Sequence, residues 1–334
     1  MAQVEDKSET LLEAEAVNPP KFIMNSRTEF SRRQFLKNSA ALALCYSDAD
    51  IRRLLIRAVD DEKVLDQLRS NLLELVNEER AVAKVPALVT DDLATQVATK
   101  HAREMAKQKY VSHWNQDGLK PYQRYSFAGG FHATQENISA ADNTWSSQLK
   151  DLIQDTSYLH LRLYNETPPN DGHRKAIVAP QQTHVGFGVA IDELRLRVVE
   201  LFIAKYVELD SPQQKGRPGE SVPFKGKLRN LNHSLTVIEV FYEPLPRELD
   251  VEALNQTRSY SLPTESVNLR PVLPPPFQYA DRVAGVIQFD EYGNFRVPIT
   301  LFKDAPGIYT VVCWVKTSRS GKAFPATEFC IRAE

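Results

Sequence analysis

The chain has 334 residues, more than one core usually serves, so two cores are expected. Its 41 basic and 43 acidic side chains leave a formal charge of −2, without the basic excess that follows a phosphate backbone, and no nucleic-acid partner is expected. Three cysteines without C-x-x-C spacing are too few for a disulfide framework and wrong for a zinc ribbon, and no run of 18 apolar residues offers a transmembrane segment.

In chain order, residues 1–30 are polar and glutamate-rich and read as a disordered leader. "SRRQFLK" at residues 31–37 is similar to the twin-arginine export signal, although the apolar stretch that follows, residues 40–46, only just reaches the length such a signal needs. The alternative is a short amphipathic helix with a chance Arg-Arg pair. A leader over 1–49 is expected, and with it an exported protein, periplasmic, cell-surface or extracellular.

Leu65, Leu68, Leu72, Leu75 and Val76 recur at helical spacing, which predicts a first helix. A second starts after the acidic cap "TDD", with Ala94, Ala98, His101, Ala102 and Met105 on its face, and His101 reads there as a core histidine. Trp145, Leu149, Leu152, Thr156, Leu159 and Leu163 form a third stripe, stopped by Pro168 and Pro169. The period then changes to two in "HVGFGVAI" and "LRLRVVELFIAKY", which predicts an antiparallel hairpin, so helices are followed by strands.

After the turn-rich linker "DSPQQKGRPGE" the chain shows short β-rich runs, prolines throughout and no helical periodicity, the pattern of a small β-sandwich. In its last hairpin Cys313 should face about Ala326 and Cys330 about Tyr309, so no bridge between the two thiols is expected.

Four stretches carry polar side chains that packing does not explain: "VSHWNQDG", "QENIS", "NETPPNDGHRKAI" and "HVGFGV". With "LVNEER" and "ATKHAREMAKQKY" ahead of them, their order and spacing resemble the CAP superfamily, also called SCP-like (cysteine-rich secretory, antigen 5 and pathogenesis-related), in its bacterial form. The resemblance implies an α+β fold, a CAP-type α-β-α sandwich over residues 50–210. Residues 211–334 would follow as a small all-β, immunoglobulin-like sandwich. It also implies a cleft lined by His113, Glu136, Glu166 and His173.

The residues support that cleft on their own chemistry. Two imidazoles near two carboxylates suit zinc or another divalent metal, with His113 and His173 as ligands and the carboxylates orienting the rings. Two imidazoles fall short of the usual three protein ligands of catalytic zinc, so any metal is expected to be held weakly. Alternatives stand beside each residue: His113 as a helix C-terminal histidine, Glu136 and His173 as caps, Arg174 pairing with a carboxylate, and His184 as a surface strand residue. His132, His160 and His233 offer no constellation.

No nucleophile elbow, P-loop, His-Glu-x-x-His or Gly-x-Gly-x-x-Gly occurs. The expected function is therefore a monomeric, non-catalytic binding protein for a metal ion, a small and even lipid ligand, or a cell-envelope component. The alternatives are a metal-dependent hydrolase of peptide or cell-wall bonds, with Glu136 or Glu166 as base, and a surface adhesin whose β-sandwich is the active part.

Overall fold

The computed structural model describes residues 62–142, 148–257 and 259–334; the leader, the Arg32-Arg33 pair, Cys45 and Trp145 lie outside them. The first helix, α1 (Glu62–Val82), buries Leu65, Leu68, Leu72 and Val76. Arg80, fully buried in its last turn, donates to the carbonyls of Pro86, Ile177, Ala179 and Gln182. One guanidinium thus fixes two loops that would otherwise bury unpaired carbonyls.

After the two-residue strand β1 (Val89–Thr90), Asp91 caps α2 (Asp92–Gln108) by accepting from the Ala94 amide at 2.6 Å. Lys109, in the left-handed region at φ 65°, ends it. A short α3 (Pro121–Phe127) begins with proline at its first turn. Next comes a strand that the sequence reading lacked, β2 (Ala133–Asp142), which carries the "QENIS" motif. The third amphipathic stripe is α4 (Leu149–Tyr164), followed by α5 (Gly172–Ile177) and by the expected hairpin, β3 (His184–Asp192) with β4 (Arg195–Ala204).

These strands form one sheet in the order β1-β3-β4-β2, with β2 antiparallel to β4 at the edge. Alternation assigns the two faces. Val185, Phe187, Val189, Leu196, Val198 and Phe202 pack with α1 and α4, whereas Ile138, Ala190, Val199, Leu201 and Ile203 pack with α2. The α2 helix lies very close to the sheet: a Cβ on Gly188 would stand 2.2 Å from the carbonyl carbon of Ala98, and one on Gly186 2.2 Å from the Thr95 amide. Small residues on both sides are what let the two backbones meet.

The remaining residues form two further sheets around a shared core that includes Phe224, Ile238, Phe295, Val311 and Phe329. One sheet runs β10-β11-β7-β5, from β5 (Val207–Leu209), β7 (Ser221–Leu228), β10 (Gln288–Phe289) and β11 (Asn294–Thr300). The other runs β6-β14-β12-β8-β9, from β6 (Lys215–Gly216), β8 (Ser234–Pro244), β9 (Glu265–Leu269), β12 (Gly307–Lys316) and β14 (Phe329–Ala333), with β13 (Phe324–Pro325) beside β12.

Three expectations for this half are corrected. The linker contains β6, which pairs parallel with β14. A six-residue helix, α6 (Val251–Gln256), interrupts the β-rich region and buries Leu254 against the α2 layer. Cys330 pairs with Thr310 rather than Tyr309, because Trp314 opposes Pro325 while Thr310 opposes Cys330, an extra residue between β13 and β14. Cys313 and Cys330 are both free and buried, as expected. The described residues fall within one compact unit, tied by hydrogen bonds such as Ala133 N to Ala326 O and Cys330 N to Ser126 Oγ.

Candidate functional site

The four expected cleft residues assemble as two histidine–carboxylate pairs. His113, five residues past the end of α2, is buried and directs Nδ1 at Glu136 Oε1, 2.9 Å away. A helix C-terminal role is set aside, since the residue lies outside the helix. Glu136 projects from the α2 face of β2, and its other carboxylate oxygen accepts from the Arg124 guanidinium of α3 at 2.5 Å. Arg124 also donates to the His113 carbonyl, so it fixes both members of the pair.

Burial alone would raise the Glu136 carboxyl. The Arg124 charge, the His113 hydrogen bond and the neighbouring imidazoles outweigh it and hold the group at about 2. Over ordinary pH this carboxylate is ionised and fully engaged.

The second pair is more open. His173, in the first turn of α5, meets Glu166 Oε1 through Nδ1 at 2.6 Å, and its backbone amide donates to Glu166 Oε2 at 3.1 Å. The side chains keep 35% and 23% of their exposure. Asp171, not His173, precedes the helix as its cap residue. Arg174 stacks over the Tyr164 ring, 4.7 Å to the centroid, and donates to the Tyr164 carbonyl; the expected carboxylate partner is replaced by an aromatic face.

His160 corrects the sequence reading most sharply. Local sequence offers it no constellation, yet both its nitrogens are held by buried carboxylates: Nδ1 by Glu200 Oε1 at 2.5 Å and Nε2 by Glu79 Oε2 at 2.8 Å. Burial alone would lower its pKa, but the Glu200 charge and the two hydrogen bonds raise it to about 10, so the ring is an imidazolium. Glu79 moves upward through burial. Glu200 Oε2 in turn accepts from Asn137 Nδ2 at 3.1 Å, and the same amide reaches the His173 carbonyl at 3.2 Å. A buried chain of polar contacts therefore runs from α1 through α4 and the sheet to the more open pair.

His101 is a core histidine, its Nε2 on the Ser112 carbonyl at 2.8 Å and its pKa pushed down to about 3 by burial. His132 is likewise buried and lowered to about 3, and His184 is half-buried beside Thr183. Among the described residues no group of three or more His, Cys, Asp or Glu is arranged to hold a metal ion. His113 and His173 are each oriented by a carboxylate in the way that metal-binding histidines usually are. Among the described residues no helix is long and apolar enough to cross a membrane.

Residues 73–203 match the profile described as CAP, the Cysteine-rich secretory protein family. No curated protein matches the chain. Similar solved structures include an extracellular protein containing a SCP domain from Bacillus anthracis str. Ames, 24% identical, TM-score 0.32, over 42% of this chain and 41% of that one. The chain therefore spans about two fifths of the Bacillus protein. An outer surface protein of Borrelia burgdorferi is 18% identical, TM-score 0.33, over 43% of this chain and 94% of its own. The CAP domain of Enterococcal PrgA is 14% identical, TM-score 0.30, over 56% and 84%. The stretch that matches the family profile, residues 73–203, is a CAP domain that holds both histidine–carboxylate pairs and the sheet between its helices.

Proposed function

We propose that this is an exported CAP-domain protein whose cleft, lined by His113, Glu136, Glu166 and His173, binds a ligand without catalysing its turnover, with an immunoglobulin-like sandwich appended as a docking or spacer module. Export through the Arg32-Arg33 signal to the periplasm, cell surface or medium fits this reading, as does a monomer whose ligand is small or belongs to the cell envelope.

The observation that carries the non-catalytic reading is the state of Glu136. A general base needs a carboxylate free to take a proton near neutral pH, and this one is buried, paired with Arg124 and His113 and held at about 2. Zinc would find His113 and His173 as its protein ligands, each ring turned by its own carboxylate, with water completing the shell, so its binding is weak.

Calorimetric titration of zinc into the wild-type chain and into the double variant His113→Ala/His173→Ala tests the site. Weak binding in the first and none in the second is expected; unchanged binding in the double variant removes the cleft assignment. Zinc-dependent cleavage of peptides or peptidoglycan fragments by wild type, lost in Glu136→Gln, would establish the hydrolase reading instead.

A further inference from the structure

The His113–Glu136 side of the cleft is already covered by a piece of the chain itself. Between α6 and β9, Thr257 and residues 259–262 lie along the loop that carries His113 and the start of α3. The contacts follow a pattern: alternate carbonyls of the segment accept from side chains of the CAP domain. Ser112 Oγ donates to the Thr257 carbonyl, Trp114 Nε1 to the Ser259 carbonyl at 2.9 Å, and Lys120 Nζ to the Ser261 carbonyl at 3.1 Å. Ser259 and Ser261 are engaged alike and Tyr260 between them reaches a different partner, the two-residue repeat of an extended chain.

Between these carbonyls one side chain enters the cleft. The Tyr260 ring meets His113 edge to face, with centroids 4.7 Å apart at 62°, and its hydroxyl accepts from the Glu136 amide at 2.7 Å. From this arrangement we infer that the cleft is a receptor for an extended, tyrosine-bearing peptide, and that residues 259–262 occupy it in cis. The inference deepens, and rests on, the reading of this cleft as a binding site.

Three features separate this from ordinary packing between two halves of a molecule. The donors come from one short stretch, Ser112 to Tyr122, and reach main-chain carbonyls that any peptide possesses, while the segment's own side chains contribute through Tyr260 and through Leu262, which packs beside Tyr122. Main-chain hydrogen bonds with one aromatic anchor are how extended peptides are generally recognised. The anchor also touches His113 and the Glu136 amide, members of the more buried of the two polar pairs. Lys120 is additionally held by Glu243 at 2.8 Å, so its ammonium is already positioned when the segment is removed.

A segment tethered at both ends acts at high effective concentration, on the order of millimolar. It therefore excludes a free peptide until it is displaced. The test uses the full chain with residues 257–262 replaced by a Gly-Ser stretch of equal length, and a fluorescein-labelled synthetic peptide of residues 255–264, followed by fluorescence anisotropy.

The replaced chain is expected to bind this peptide, wild type to bind it at least tenfold more weakly, and a peptide carrying Tyr260→Ala to lose at least tenfold in affinity for the replaced chain. If the replacement does not fold by circular dichroism, full-chain Tyr260→Ala, which empties only the anchor position, takes its place. A folded variant that binds neither peptide, or both equally, overturns the inference. Zinc titration of the unmodified chain reports on His113 and His173 independently, so failure here and failure of the cleft reading give different results.

Discussion

Replacing His160 by glutamine isolates the charge of the buried triad, because glutamine occupies similar space and can donate to only one of the two carboxylates. In the folded chain the ring lies between Glu79 and Glu200 and titrates at about 10 instead of the ordinary 6.5. At 1.36 kcal/mol per tenfold change in proton affinity, that difference sets a ceiling of about 5 kcal/mol. Removing one partner of a buried charge pair costs about 3–5 kcal/mol from direct measurements on other proteins. A destabilisation of about 3–5 kcal/mol at pH 7 is therefore expected for His160→Gln, read from urea midpoints at constant slope.

The pH dependence supplies a sharper check. The folded pKa lies above the unfolded one, so the stabilisation is complete below about pH 6.5 and is lost as pH rises through about 10. On the acid side Glu79, moved upward by burial, takes up a proton early and relieves the variant. The gap between wild type and His160→Gln should be widest near neutral pH and narrow in both directions. A gap under about 1 kcal/mol at pH 7, or one flat from pH 5 to pH 10, would refute the imidazolium assignment.

Two further outcomes follow from burial and close approach. Gly188→Ala places a methyl 2.2 Å from the α2 backbone, which cannot rotate away, and should cost at least the 1–3 kcal/mol typical of overpacking; a chain as stable as wild type in urea would contradict the packing described. Glu328 is buried, and burial raises it to about 7 despite the Thr134 amide and hydroxyl on its Oε2. Since its folded pKa exceeds its unfolded value, wild type loses stability from about pH 4.5 through pH 7, and Glu328→Gln should be the more stable chain at pH 8 by about 1–3 kcal/mol; equal thermal midpoints at pH 8 would sink this.

The sequence carried the two histidine–carboxylate pairs better than it carried what supports them. His113, Glu136, Glu166 and His173 stood in stretches whose polarity had no packing explanation, and they pair in the fold. Arg124 and Tyr260 were missed because each acts across a distance that local pattern does not register: Arg124 reaches β2 from α3, and Tyr260 arrives from the β-rich half. His160 does have a signal in the sequence. It follows Thr156 by four residues on a buried helical face, while Glu200 alternates with Val198 and Phe202, so a carboxylate on the core side of a strand already required a partner. The hairpin was legible because both its faces are apolar, whereas β2, polar at alternate and even at consecutive positions, resembled a loop.

That polarity of β2 has a cause. An edge strand leaves every second amide pointing away from its neighbour, and such amides need partners when they are covered. Thr134 N and Glu136 N are two of these, and both are satisfied from the other half of the molecule, by the Glu328 carboxyl at 2.8 Å and the Tyr260 hydroxyl at 2.7 Å. On the strand itself Glu136 faces the α2 side, where it holds His113 and Arg124. Its neighbour Asn137 faces the opposite side and joins Glu200 to the His173 carbonyl. Two consecutive residues thus organise one histidine pair each, while the outward amides of the same strand fasten the β-rich half along its open edge. Displacing Tyr260 would expose the Glu136 amide at the place where a peptide chain can pair with it, which is why the cover and the receptor surface are the same few residues.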